Sequence, residues 1–339
     1  MPLTDPRPAP PPAPPLPFPL ADALARIDKV FGIDRVLADA GRDQTEAYYI
    51  QSERGFRTVH SAEGCMHLAL NPDGVFDRDG YLTQPRRIAQ EITATGARSI
   101  LELGAGQGFN SLHLARHHPA AQFTALDLMA HHVANATRDA ADLPNLRCVQ
   151  ASFEPVPETL GRFDLVFGIE TLCHAQDIDR VCRSVAQVLA PGGRLVIFDG
   201  YRRSPLEDCA PDIATASRLY EVSTAVAQGF RTAAEWEAAL ARAGLEVESN
   251  EDIGWMARPG LRRLHGLATR FFDDWKLRLA KTMLPPLLVR NAVAGIVGPY
   301  VIDGPGTTPD PECASNSYNL IIARKAQAGP DAAASPATA

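Results

Sequence analysis

The chain has 339 residues, 45% hydrophobic and 22% charged, an ordinary composition for a folded protein long enough to bury a substantial core. Its formal net charge of −7 argues against a general polyanion binder, so no nucleic acid is expected as a partner. Six cysteines, at 65, 148, 173, 182, 209 and 313, form no C-x-x-C pair and no regular framework. They point to reduced thiols in a cytoplasmic protein and to no metal site.

Residues 1–20 alternate proline with alanine and leucine and lack the charged-then-apolar order of a signal peptide; a disordered proline-rich arm is expected. Residues 21–96 read as an N-terminal helical lid, with helices over 21–37, 43–51 and 83–95. Between the last two lies a long irregular connection from Ser61 through Phe76 and Tyr81. Such a run is more often functional than filler, a buried packing loop being the alternative.

From Ala97 strand and helix signals alternate, with strands at 99–103, 122–127, 145–150, 163–169 and 194–199. This is the pattern of a doubly wound α/β sheet, in which ligands bind at the carboxyl ends of the strands. Glu102, Asp127, Ser152, Glu170 and Asp199 fall near five such ends. Between the first strand and its helix stand Gly104, Gly106 and Gly108, a turn that lets the backbone approach a ligand and presents a helix N-terminus to an anionic or polar group. A dinucleotide fingerprint would need its third glycine at position 109, where Phe109 stands. On these residues alone an ordinary strand-turn-helix of another doubly wound protein stays open. Asp127, 23 residues after Gly104 at the end of the second strand, can accept hydrogen bonds from both hydroxyls of a ribose.

The order acidic-x-Gly-x-Gly-x-Gly, from Glu102 to Gly108, resembles the first motif of the class I S-adenosylmethionine methyltransferases. The stretch from Gly168 to Ala175, Gly-Ile-Glu-Thr-Leu-Cys-His-Ala, resembles a pattern of the sterol C-methyltransferases, and Val188 to Ile197 repeats the family's helix, Pro-Gly-Gly turn and fifth strand. Together the matches cover residues 99–199. The resemblance implies a Rossmann-like methyltransferase domain over 97–325 with S-adenosylmethionine as cofactor. It implies that Glu102 and the three glycines hold the methionine end, that Asp127 takes the ribose with Leu128 as a further cofactor contact, and that Ser152 and Phe153 flank the adenine. Phe153 reads equally as a core residue. Tyr81 to Gln84 resembles a short element that touches the cofactor in several lipid methyltransferases, which makes Gln84 a cofactor contact and Tyr81 and His67 lid contacts.

Beyond Tyr201 the chain turns helical. Thr232 to Glu235 is a capping box opening a helix that ends at Gly244, and residues 245–249 read as a strand. A helical insert at about 256–300 carries eight basic residues (Arg258, Arg262, Arg263, Arg270, Lys276, Arg278, Lys281 and Arg290). Leu261, Leu264, Phe271, Phe272, Trp275, Leu277 and Met283 recur there at broadly helical spacing. A core-facing stripe with a solvated basic face is one reading; a lid over a greasy acceptor, or a surface for an anionic membrane, is the other. Pro285, Pro286 and Arg290 argue against a spanning helix. Residues 317–323 close the sheet, and 326–339 read as a disordered tail.

Methyl transfer from a sulfonium needs the acceptor in line with the S–CH₃ bond, so positioning supplies much of the rate. Glu170 and His174, four residues apart, would share one side of a helix and serve as the catalytic pair. His174 suits neutral proton transfer, while Glu170 can orient it or face the cation or the cofactor; a capping or packing role for His174 is the alternative. The expectation is an S-adenosylmethionine-dependent methyltransferase acting on a small hydrophobic acceptor, a terpenoid, sterol-like molecule, quinone or other natural product, with carbon preferred over oxygen. An O-methyltransferase and a catalytically silent methyltransferase-fold binding protein are the alternatives. Peripheral membrane contact and a homodimer stay open as partners.

Overall fold

The structure, a computed structural model, describes residues 11–327. Its helices are α1 (Leu20–Phe31), α2 (Ile33–Leu37), α3 (Thr45–Gly55), α4 (Thr83–Thr95), α5 (Phe109–His117), α6 (Ala130–Asp139), α7 (Ile178–Val188), α8 (Pro211–Ser223), α9 (Ala233–Arg242), α10 (Gly254–Asp273), α11 (Trp275–Ala280) and α12 (Pro286–Asp303). The strands are β1 (Ser99–Leu103), β2 (Gln122–Asp127), β3 (Leu146–Gln150), β4 (Phe163–Ile169), β5 (Leu189–Arg202), β6 (Leu245–Asp252) and β7 (Asn316–Lys325).

The strands form one sheet in the order β3-β2-β1-β4-β5-β7-β6. β1 to β5 run parallel, and β7 lies antiparallel between β5 and β6. The near-continuous apolar run of β4 follows from cover on both faces. Alternate side chains go to opposite faces: Val166 joins Leu101 and Ile197 in one core, while Leu165 and Phe167 join Ile100 and Val196 in the other. The chain winds outward from β1 to β3, then crosses back to β4. The order therefore reverses between β1 and β4, and a crevice opens at their carboxyl ends.

The strand positions expected from sequence agree with these bounds to within a residue or two, apart from β5, which starts earlier, and β6 and β7, which extend further. The Thr232–Glu235 capping box is present, with Thr232 Oγ1 accepting from Glu235 N at 3.1 Å and Thr232 N donating to Glu235 Oε2 at 2.7 Å.

Two expectations need correction. The proline-rich arm is not loose over residues 11–20: Leu16 and Phe18 are buried, Leu16 N donates to Thr307 O at 2.7 Å, and Tyr300 Oη donates to Phe18 O at 2.5 Å. Apolar residues between the prolines supply the anchors, and residues 1–10 and 328–339 lie outside the described part. The supposed lid over 21–96 is two structures. The helix expected over 21–37 breaks at Gly32 (φ +74), and α1 and α2 pack with α8, α10 and α12 in a third core around Ile27, Leu219, Val293 and Tyr300. α3 and the connection after it cover the crevice.

The insert is α10, α11 and α12, and among the described residues no helix is long and apolar enough to cross a membrane. Asp303 is buried at the end of α12 against Arg258 Nε at 2.8 Å and Arg262 at 3.4 Å. Removing the carboxylate would strand two guanidinium groups away from water. Asp303→Ala is expected to cost about 3–5 kcal/mol in urea unfolding. A loss under about 1 kcal/mol would show that water reaches this pair freely.

Candidate functional site

The turn after β1 is shaped by contacts that leave no room for side chains. A Cβ on Gly104 (φ +62) would lie 1.8 Å from Thr171 Oγ1, which follows β4, and one on Gly106 (φ +54) would lie 3.0 Å from Met66 Sδ of the covering connection. Both positions also have a left-handed backbone that glycine adopts without strain. The turn opens onto a cavity of about 370 Å³ in the crevice. Of the residues expected there, Gly104, Gly106, Asp127, Leu128, Ser152, Phe153, Glu170, His174 and His67 line it.

Asp127 joins the turns after β1 and β2. Its Oδ2 accepts from Gly106 N at 2.7 Å, its Oδ1 accepts from Met129 N at 2.9 Å, and His132 Nδ1 stands 3.2 Å away. Phe153 borders the cavity and also packs against one core.

Glu102, Gly108, Gln84 and Tyr81 do not line the cavity. Glu102 is buried behind it, accepting from Ser111 N at 3.1 Å, Asn110 Nδ2 at 3.0 Å and Ser111 Oγ. Burial pushes its carboxyl up to about 7 against the pull of these donors. It fixes Asn110 at the start of α5, and Asn110 reaches the cavity and lies 3.1 Å from His67 Nε2. Gly108 (φ +84) serves packing, since a Cβ there would lie 2.9 Å from that of Ala136 on α6. Gln84 donates to Leu68 O at 2.8 Å, and Tyr81 to His60 O at 2.9 Å, so both brace the covering connection.

Glu170 and His174 meet by a route other than one helix. Glu170 has φ +49, uncommon for a residue with a side chain, and is followed by a single 3₁₀ turn, Leu172–His174; α7 begins only at Ile178. This corner brings both side chains to the crevice. Glu170 Oε1 accepts from Leu68 N at 2.9 Å and from Tyr318 Oη at 2.8 Å. Burial outweighs these bonds and pushes its carboxyl up to about 8, so it is mostly neutral at pH 7.

His174 Nδ1 lies 3.3 Å from Ala225 O, and Nε2 lies 3.0 Å from Tyr49 Oη. A carbonyl only accepts, so Nδ1 carries the hydrogen and Nε2 is left to accept from the Tyr49 hydroxyl. Burial lowers the imidazole pKa and raises that of Tyr49, so both are neutral. Tyr49 and Met66 border the cavity without having been singled out from sequence: nothing distinguishes Tyr49 from Tyr48 except which way α3 turns it. His132, whose buried Nε2 has no partner among the described residues, belongs to no sequence pattern either.

Tyr49, Met66, Glu170 and His174 also border a second, smaller cavity of about 110 Å³ behind the first. Its other walls mix apolar and polar residues: Tyr220, Ala257, Leu261 and Val301 from the helical layer and Phe230 from the loop after α8, with Thr224, Asn316, Ser317 and Tyr318 beside them. Asp199 and Cys173 add polar groups. Burial raises the Asp199 carboxyl to about 6 and the Cys173 thiol well above its ordinary value, so the thiol is not a nucleophile at neutral pH. No group of three or more metal-ligating side chains occurs among the described residues.

Glu170 carries a pH signature. A carboxyl raised from its unfolded value contributes stability that is complete below about pH 4.5 and is lost as pH rises through about 8. Glutamine keeps the shape and cannot ionise. In calorimetric melting from about pH 5 to about pH 9, wild type should lose ground steadily to Glu170→Gln. Parallel curves would mean that the carboxyl is not desolvated.

A family model for a methyltransferase domain matches residues 100–193. The chain is 32% identical over 199 residues to a malonyl-acyl-carrier-protein O-methyltransferase of Geobacter sulfurreducens, 53% of this chain and 73% of that one. It is 30% identical over 178 residues to the 27-O-demethylrifamycin SV methyltransferase of Amycolatopsis mediterranei, 51% of this chain and 63% of that one. Three curated relatives, that one included, are matched over only 61–63% of their own length. In fold, the cyclase SpnF superposes with a TM-score of 0.63 at 20% identity, covering 84% of this chain and 96% of that one. The cyclopropane synthase MmaA2 from Mycobacterium tuberculosis superposes with a TM-score of 0.61 at 15% identity, covering 83% and 97%. With the glycine turn, Asp127 and the sheet order in place, the chain belongs to the S-adenosylmethionine-dependent methyltransferases.

Proposed function

We propose that this chain methylates a small, mostly apolar natural-product acceptor seated in the smaller cavity, with S-adenosylmethionine in the larger one. The observation that carries the reading is the junction of the two cavities at Tyr49, Glu170 and His174. Bound S-adenosylmethionine would supply an electrophilic methyl group on a sulfonium. The residues fit it: the glycine turn leaves backbone room for the methionine end, Asp127 faces the cavity where a ribose can reach it, and Phe153 offers a face to the adenine.

A hydroxyl oxygen is the acceptor atom we favour. His174 Nε2 has its lone pair toward Tyr49 Oη, so a proton leaving the acceptor can pass to Tyr49 Oη while the Tyr49 proton passes to His174 Nε2. Bound S-adenosylmethionine would supply the methyl group and keep the electron pair of its S–CH₃ bond, while Tyr49 returns to its neutral form and His174 holds the acceptor's proton. Neutral Glu170 can donate a hydrogen bond to the oxygen from Oε2, which receives none among the described residues. Carbon methylation is a second reading, supported by the Glu170 and Asp199 carboxyls and the rings of Tyr220 and Phe230 around the smaller cavity. It requires Glu170 ionised, a state that its burial disfavours.

Calorimetry with S-adenosylhomocysteine and turnover with labelled S-adenosylmethionine separate the roles. Asp127→Ala should weaken binding by about ten- to a hundredfold. Tyr49→Phe and His174→Ala should leave that affinity near wild type and slow turnover of a phenol or alcohol acceptor by about a hundredfold or more. Wild-type turnover in both would remove the relay. A C-methylated product on mass and NMR analysis would replace the oxygen reading with the carbon one.

A further inference from the structure

Five of the nine large apolar side chains exposed among the described residues fall within the ten positions from Trp275 to Leu284. They are Trp275 (59% exposed), Leu277 (45%), Leu279 (57%), Met283 (87%) and Leu284 (46%). They occupy α11 and the turn that joins it to α12, so they form the tip of the α10–α12 hairpin. The tip lies roughly 20 Å along α10 from Leu261 in the smaller cavity, too far to belong to that site.

Among the described residues nothing fully covers these side chains, although side-chain bonds tie the tip to the layer. Asp274 caps α11 by accepting from Lys276 N at 2.8 Å, Lys281 Nζ donates to Val30 O at 2.6 Å, and Arg278 donates to Phe272 O. A segment anchored at its base while presenting tryptophan, leucine and methionine to solvent incurs a cost that only a partner relieves. Charge selects the partner. Residues 270–284 hold Arg270, Lys276, Arg278 and Lys281 against Asp273 and Asp274, a net +2 within a chain of net −7. Lys276 is exposed beside Trp275, its Nζ 6.0 Å from the ring centroid.

We propose that this tip docks on an anionic lipid bilayer, its apolar side chains entering the headgroup and acyl boundary while the exposed Arg270 and Lys276 meet lipid phosphates. The opposite net charge of the rest of the molecule is repelled by such a surface, which turns the tip toward it. A second copy is a poorer occupant, because a two-fold contact would set one basic tip against another. Docking is independent of the methyl-transfer reading and would hold for a catalytically silent chain.

The test is co-sedimentation of the full chain with vesicles of phosphatidylcholine alone and with vesicles containing phosphatidylglycerol. Binding should favour the anionic vesicles and weaken with salt, with a blue shift in tryptophan emission that Trp275→Phe removes. The double variant Leu279→Ser and Met283→Ser should lower the partition by at least about tenfold. Lys276→Glu, a single exposed change, should lower it about fivefold and covers the case in which the double variant fails to fold. S-adenosylhomocysteine affinity should be unchanged in Lys276→Glu. Equal binding to neutral vesicles, wild-type partition of Lys276→Glu, or a concentration-dependent dimer that the double variant abolishes in sedimentation velocity would each overturn the proposal.

Discussion

Everything at the crevice depends on how closely the turn after β1 approaches the turn after β4. Thr171 Oγ1 occupies the place a side chain on Gly104 would take, so the two strand ends lock together where the strand order reverses. That contact sets the floor of the larger cavity. It also fixes the corner at Glu170, whose left-handed backbone is tolerated because Leu68 and Tyr318 hold its carboxyl from two sides. The covering connection is tied to the same group through Leu68, so lid and strand end form one hydrogen-bonded unit.

Burial governs the chemistry available there. Glu102, Glu170 and Asp199 all have raised carboxyl pKa values, and His67 and His174 have lowered ones, so desolvation pushes acid and base alike toward neutrality. The result is a junction between two cavities in which a neutral imidazole faces a neutral phenol. The carbon preference came from the resemblance of Gly168 to Ala175 to a sterol C-methyltransferase pattern, and residue identity does not reveal how far a carboxyl is desolvated.

The sheet was legible because each strand carries its own signal: the apolar run of β4 and the glycines after β1 are local properties of the chain. Asp127 was legible because its distance from Gly104 is set by one helix and one strand. Gln84 and Glu102 stand one layer behind the cavity, since a motif names the residues that matter without saying whether they touch the ligand or hold what does. Tyr49 and His132 were not legible. Their roles arise from the docking of α3 and α6 against distant segments, and neither belongs to a spaced pattern. The ordered arm over residues 11–20 was missed for a related reason, because composition suggests looseness while Leu16 and Phe18 find a groove only once the helical layer exists.

Whether the larger cavity is a cofactor site is the point on which the account turns. Calorimetric titration of the full chain with S-adenosylhomocysteine, with NAD as the control, tests it most directly. Micromolar binding of S-adenosylhomocysteine and none of NAD is expected. Absence of binding for both would contradict it and leave the glycine turn and Asp127 as structural features of a scaffold.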